Sequence, residues 1–420
     1  MNPTYRVLQV FFPFAAAYFL SYVMRTANAV LSAPLTEEFG LSASDLGLLS
    51  SAYFLTFAAM QIPLGSLLDR RGPRNIELFL LIFAIAGCLI SSMATGFISL
   101  WIGRALIGIG VSACLMAAYK AFRQCFSAHQ QPSLASLMLM VGSIGSLAAT
   151  VPIEWMLPVL GWRGVFLLTA LLFAISAALL FWLLPRLPDL QPVNTPYWRD
   201  TISGAKAIFG HREYSRFFPF AIFVHGGFLA VQSLWIGPWL RSVDGLNSAD
   251  AAGAIFILGV IVITAHMLMS WAATRFAQWG WPIDRVLFAG SCLMVIATFG
   301  AITNVFADTR LSWGLLFLST GITGLIYAKF GLTFPVSMAG RANTTINFTA
   351  FIGAFAMQWG IGLLIDLFSF LGLSNSSSYR AAFFTWAFTQ VFAVFWMWFK
   401  GPRRGRSRDA IQSPRSGDQS

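Results

Sequence analysis

Charged side chains are scarce in this chain, 10% of residues against 57% that are hydrophobic. A soluble domain carries roughly a quarter of its residues as charges, so an ordinary globular fold in water is excluded and lipid becomes the main solvent. Acids are the scarcer sign, 16 Asp and Glu against 27 Lys and Arg, for a formal charge of +11. The excess does not mark a nucleic-acid groove. The cations gather in short segments between apolar runs and in the tail at Lys400, Arg403, Arg404, Arg406 and Arg408, the distribution of a positive-inside membrane protein. Four cysteines are present, with Cys88, Cys114 and Cys292 inside apolar runs and Cys125 in a basic loop. Their spacing suits neither a metal nor a disulfide, and they read as small apolar fillers. His129, His211, His225 and His266 lack zinc spacing, and neither a phosphate loop nor a hydrolase elbow occurs. No metal, cofactor or catalytic group is expected. Without a nucleotide-binding domain, any pumping must draw on a gradient.

What is abundant is the apolar run of about twenty residues. Twelve are expected, over residues 8–32, 45–66, 76–95, 99–119, 133–157, 163–185, 216–238, 250–273, 286–306, 311–333, 342–367 and 380–400. The first has Arg6 before it but no small-residue cleavage site at the right distance, so it is read as a retained span. Alternate turns carry Arg70, Arg71 and Arg74, then Lys120 and Arg123, then Arg275 and Arg285, then Arg341. The opposite side holds Glu37, Glu38, Asp308 and Arg310. Both termini are therefore expected in the cytoplasm. The chain divides into a six-helix bundle over 1–185, a linker over 186–215, a second bundle over 216–400, and a disordered basic tail over 401–420. Residues 197–209 of the linker suit an interfacial amphipathic helix.

A shift of roughly 208 residues places Gly72 on Gly280, Phe122 on Phe330, Phe126 on Phe334 and Gly145 on Gly353, as a duplicated half would. The second copy of the 65–74 turn, residues 273–280, lacks its carboxylate.

That turn, Gly65-Ser66-Leu67-Leu68-Asp69-Arg70-Arg71-Gly72-Pro73-Arg74, organises the rest. A basic loop between two spans is one reading. The spacing of Gly65, Leu67, Asp69, Arg70, Gly72 and Arg74 also resembles the signature between the second and third helices of the major facilitator superfamily, with Pro73 where that family carries another cation. The resemblance implies an all-α polytopic protein of twelve transmembrane helices in two bundles around a central cavity. It also implies that Gly65, Asp69, Arg70, Gly72 and Arg74 serve gating, with Asp69 facing the amino end of the eleventh helix, where unpaired amides favour an anion.

Ionisable groups inside apolar runs are costly and point to function. Arg25 lies more than half way along the first run, followed by Asn28 and Pro34. It either snorkels or pairs with Glu154, or it binds an anion in a wet cavity. The sugar-phosphate permeases and organic anion symporters are similar here, and the resemblance implies anion binding. Arg104, before Gly108 and Gly110, either snorkels outward or, as the fourth-helix motif it resembles implies, assists proton coupling. The glycines read as packing sites. Glu154 is either a proton-exchanging carboxylate or an interfacial partner of Arg163. The run after Gly142, with Val151-Pro152 in place of Gly-Pro, departs from the antiporter motif.

In the seventh run, His225, Phe228, Gln232 and Trp235 share one face at helical spacing and would suit a cavity wall. His225 alone reads more readily as a packing group, and Asp366 as interfacial. Asn347 in the eleventh run, with Asn343, Thr344 and Gln358, should face the protein interior. Substrate binding is thus expected at Arg25, Asn28, His225, Gln232, Trp235 and Asn347, proton coupling at Glu154 and Arg104. The expected function is a monomeric secondary transporter in the bacterial inner membrane, moving an organic anion with protons. Proton-driven export of hydrophobic compounds, which the aromatic content of 15% favours, and a solute sensor without flux are the rivals. A membrane enzyme is a distant third.

Overall fold

The structure is a computed structural model that describes residues 7–184, 206–306 and 308–401. All regular structure among them is helical. Twelve segments follow one another: α1 (Gln9–Thr26 with Asn28–Phe39), α2 (Ala43–Gly65), α3 (Leu67–Ser92), α4 (Phe97–Cys125), α5 (Gln131–Ala148), α6 (Val151–Leu183), α7 (Arg212–Ser242), α8 (Ser248–Gln278), α9 (Ile283–Thr303), α10 (Thr309–Thr333), α11 (Val336–Phe370) and α12 (Asn375–Phe399). Ten are long and apolar enough to cross a membrane singly, and α1 makes an eleventh as a pair bent by 50°. The remaining one, α5, is shorter than the expected 133–157. The chain breaks at Ala149 and Thr150 before Pro152, and the rest of that run continues as the start of α6, up to Gly161 at φ 64°.

Local chemistry sets the helix ends. Ser42 and Asp45 form a reciprocal capping box on α2. Asn247, Asp308 and Ser374 cap α8, α10 and α12. Within the first part of α3 the helical path is broken at Gly72, whose φ of 76° a side chain would disfavour. Gly280, at the same place in the second half, has φ 71°.

Other repeat positions agree. Gly145 lets α5 close on Phe19 of α1, and Gly353 lets α11 close on Ile222 of α7. Phe122 and Phe126 have ring centroids 5.9 Å apart, as do Phe330 and Phe334. The second copy of the turn lacks a carboxylate, but one just beyond it on α9 makes a similar pair. Asp69 pairs with Lys120 in the first half, and Asp284 pairs with Lys329 at 3.1 Å in the second. Asp284 also lies 3.4 Å from Arg216, which reaches Glu213 at 3.2 Å, so this network joins the basic ends of α7, α9 and α10.

Gly103 and Gly110 of α4 lie against Gly87 and Ala84 of α3, and Gly108 against Tyr53 of α2, the packing role expected of them. The linker at 185–205 and the tail beyond Gly401 lie outside the described residues, so of the amphipathic segment only residues 206–209 are seen, as helix.

Candidate functional site

Arg25 points into the protein. Its guanidinium carbon lies 4.2 Å from the centroid of Tyr22, 5.3 Å from Phe57 and 5.2 Å from Phe351, with Tyr53 at 6.0 Å. Tyr22, Tyr53 and Phe57 come from the first half and Phe351 from the second, so the cation sits at the interface between halves. Aromatic faces stabilise a guanidinium without neutralising it, and the Tyr53 hydroxyl lies where it can accept from it. Its Nε has no hydrogen-bond partner, and Arg25 is in none of the ion pairs found among the described residues. Snorkelling and pairing with Glu154 are both excluded in this state.

Arg25 lies in the last turn of the first piece of α1, just before its bend. Arg104 donates to the carbonyl of Met24 at 3.0 Å, one residue before Arg25 and just ahead of the break at Ala27. With 2% exposure, Arg104 is buried and does not snorkel. Its second terminal nitrogen is unpartnered, and the ring of Phe166 lies 5.8 Å away. Asn28, just after the break, is also buried.

The facing wall differs from the expected stripe. His225, Gln232 and Asn347 are partly exposed. His225 stands edge-on to Tyr327 at 5.9 Å, whose hydroxyl donates to Asn347 at 2.9 Å. Tyr327 thus links His225 and Asn347 within the second half. Trp235, by contrast, is 0% exposed, its indole N–H donating to the carbonyl of Gln358 at 2.9 Å. Phe228 is buried against Phe317. The reason is local: residues Phe220–Gly226 and Val231–Trp235 are π-helical, and the wider turns rotate the helix away from the 3.6-residue register.

The halves approach closely at the end of the bundle opposite the arginine-rich turns. Asp366, near the end of α11, accepts from the amides of Ala43 and Ser44 at 3.1 and 2.8 Å, a seat at the amino end of α2. Arg241 of α7 donates to Ser32 of α1 at 2.6 Å. Gly237 lies so close to Ala29 that a Cβ would strike its backbone oxygen. Glu154 does not pair with Arg163, which reaches Glu38 at 2.7 Å. Glu154 instead lies within electrostatic reach of Arg241.

At the basic end, Asp69 has a side chain 59% exposed and paired with Lys120 of its own half, not with the amino end of α11. Gly65, Arg70 and Arg71 are exposed there, and Arg74 is half-buried, donating to the carbonyl of Phe181. Sequence reading missed Arg241, Tyr22, Tyr53, Phe57 and Phe351. Arg241 stands just past the assigned end of its run, and aromatics are too common in this chain for any few to stand out.

Residues 14–358 match the profile described as the Major Facilitator Superfamily. The D-galactonate transporter of Escherichia coli strain CFT073 is 24% identical over 389 residues, 84% of this chain and 87% of that protein. The probable L-galactonate transporter of Escherichia coli K12 is 28% identical over 148 residues, 35% of this chain and 33% of that one. Among solved structures, a bacterial homologue of the human lysosomal transporter Spinster, inward-facing and unoccupied, superposes with a TM-score of 0.78 at 18% identity, over 95% of this chain and 97% of its own. Two halves with repeated glycines, a polar interface between them and a match over most of the chain lead to one assignment: this protein belongs to the major facilitator superfamily, and it is an integral membrane transporter, not an enzyme.

Proposed function

We propose that the protein moves a small organic anion of the sugar-acid class by alternating access, with Arg25 as the anion-binding group and protons as the coupling ion. The observation that carries this is the placement of Arg25, an always-charged group at the junction of the halves with aromatic walls and no carboxylate partner. The two relatives named for galactonate, whose charged group is a carboxylate, support the substrate class. Asn28, His225, Gln232 and Asn347 are proposed to complete the chamber. Arg104 and Glu154 are proposed to take part in coupling, Arg104 through its hold on Met24.

An inner-membrane location with the arginine-rich end in the cytoplasm is part of this proposal, and closure at the other end supports reading the state as inward-facing. The test is uptake of D-galactonate into proteoliposomes under an inward proton gradient. Wild-type accumulation is expected, with Arg25→Lys weakening apparent affinity by about tenfold or more, since one charge-assisted, bidentate contact is worth roughly 1.5–3 kcal/mol. Undiminished accumulation of the anion in Arg25→Ala would overturn the assignment. Binding without flux would mark a sensor instead.

A further inference from the structure

The end of α8 and its turn into α9 carry cations that the transport site does not use. This is the second copy of the 65–74 turn, and the two copies have diverged. The first has no aromatic residue over 65–74, and its Asp69 stands exposed beside Lys120. The second holds Trp271, Phe276, Trp279 and Trp281. The adjoining acid, Asp284, is turned into the bundle, where it meets Lys329 at 3.1 Å and Arg216 at 3.4 Å. Arg275 and Arg285 are exposed and take part in none of the ion pairs found among the described residues. An anion arriving at this turn meets two cations, and the carboxylate next to them is already neutralised.

The lie of α8 puts the turn at the membrane surface. Ile257, Val260, Thr264, Leu268, Trp271 and Arg275 follow at helical spacing and are all exposed. The stripe avoids both neighbours of the helix, since Gly259 meets Leu147 of α5, and Ala265 and Met269 meet Gly321 of α10. It therefore faces lipid and not the interface between the halves. No Asp, Glu, Lys or Arg lies between Asp250 and Arg275. That length of helix spans about 38 Å, against a hydrocarbon core of about 30 Å. Arg275 thus ends the lipid-facing stripe at the level of the headgroups.

The aromatic rings fit the same level. Trp271, Trp279 and Trp281 are each more than half exposed. Trp281 stacks on Phe276 with centroids 5.4 Å apart, Trp279 lies 5.9 Å from the same ring, and the Arg275 guanidinium carbon is 5.7 Å from Trp271. Rings with one polar edge settle at the boundary between acyl chains and headgroups. The turn that carries them is fixed by the amide of Trp281, which donates to the carbonyl of Phe276 at 2.9 Å.

We propose that this turn binds an anionic phospholipid in the leaflet at the arginine-rich end. Arg275 and Arg285 take the phosphate, while Trp271, Trp279 and Trp281 lie over the glycerol and the upper acyl chains. A zwitterionic lipid brings its own cation to its phosphate and is held less well. The 65–74 turn, with Asp69 on its surface and no aromatic ring, is not a second site of this kind.

Fluorescence of full-length protein in lipid nanodiscs tests this. Either phosphatidylglycerol or phosphatidylcholine carries bromines on its upper acyl chains, at the same low mole fraction. The quenching that Trp279→Phe removes, in each background, is the part that belongs to this turn. Brominated phosphatidylglycerol is expected to quench that part about fivefold more strongly, the preference that one cation at the membrane surface supplies. Arg275→Gln/Arg285→Gln is expected to bring the two lipids within about twofold of each other. Arg70→Gln/Arg71→Gln, which removes the same charge from the other turn, is expected to leave the preference in place. Equal quenching by both lipids in wild type, a preference that survives Arg275→Gln/Arg285→Gln, or an equal loss in Arg70→Gln/Arg71→Gln would each overturn the site. Quenching of Trp279 by neither lipid would put the turn clear of the membrane and overturn it as well.

Discussion

The carboxylate of Asp366, near the carboxyl end of α11, accepts hydrogen bonds from the backbone amides of Ala43 and Ser44, the first residues of α2. An anion at a helix amino end is favoured by the unpaired amides and the helix dipole, and this one joins the two halves. Charged hydrogen bonds of this kind are worth roughly 1.5–3 kcal/mol. Asp366→Asn is therefore expected to shift the resting population toward the state open at this end by about tenfold. Spin-label distances between the ends of α2 and α11 measure it. An unchanged distance distribution would show that the contact bears no weight in closure.

Gly237 tests the same closure by steric means. Its backbone meets that of Ala29 with no room for a methyl group, and the neighbour is backbone, which cannot rotate aside. Gly237→Ala is expected to exclude the state seen here, cutting turnover by about tenfold or more while leaving the protein folded. Solvent labelling of a cysteine placed at Ser32 should rise in the variant.

Asp69 pairs with Lys120 in this state. When the basic end closes, Asp69 is expected to move to the amino end of α11. Asp69→Asn should then retain thermal stability, since an exposed pair contributes little, yet slow turnover severalfold. Full-rate transport in Asp69→Asn proteoliposomes would remove Asp69 from the gate.

Asp244 lies in the loop after α7, outside the spans. Burial raises its carboxyl above the ordinary value by more than Thr309 and Arg380 lower it. The folded protein thus holds this proton more tightly than the unfolded chain, whose Asp titrates at about 3.9. The stabilising contribution is whole below that pH and is lost as pH rises through the folded value. Asp244→Asn cannot ionise. Its Tm relative to wild type is expected to be higher at pH 7 than at pH 4, as measured by thermal unfolding in detergent.

Much of this molecule was legible in one dimension because its solvent is lipid. Twenty-residue apolar runs located the helices, several of them to within a few residues, but missed the early starts of α3 at Leu67 and α6 at Val151 and the extension of α1 to Phe39, and at α5 a break at Ala149 cannot be told from a continuous run. The 65–74 turn and the 208-residue repeat rest on glycines, and at Gly72 and Gly280 the backbone bears out why. Arg25 stood out because an arginine in a greasy run has few places to go. What stayed hidden depends on packing. Trp235 left the expected face through π turns that spacing rules do not foresee. Arg104 found Met24 only because α1 breaks at Ala27. Glu77, near the start of its run, drew no attention in the sequence, although the fold buries it.

Helices α2 and α11 run antiparallel and touch at mid-height, where Phe57 and Phe351 stack with centroids 4.5 Å apart. From there to Asp366 is about 22 Å along α11, and Gly65, the other end of α2, lies about 12 Å away in the opposite direction. Two stiff rods pivoting on such a fulcrum cannot be pinched together at both tips. Parting one pair of tips therefore presses the other pair together, so the two mouths of the interface are mechanically opposed.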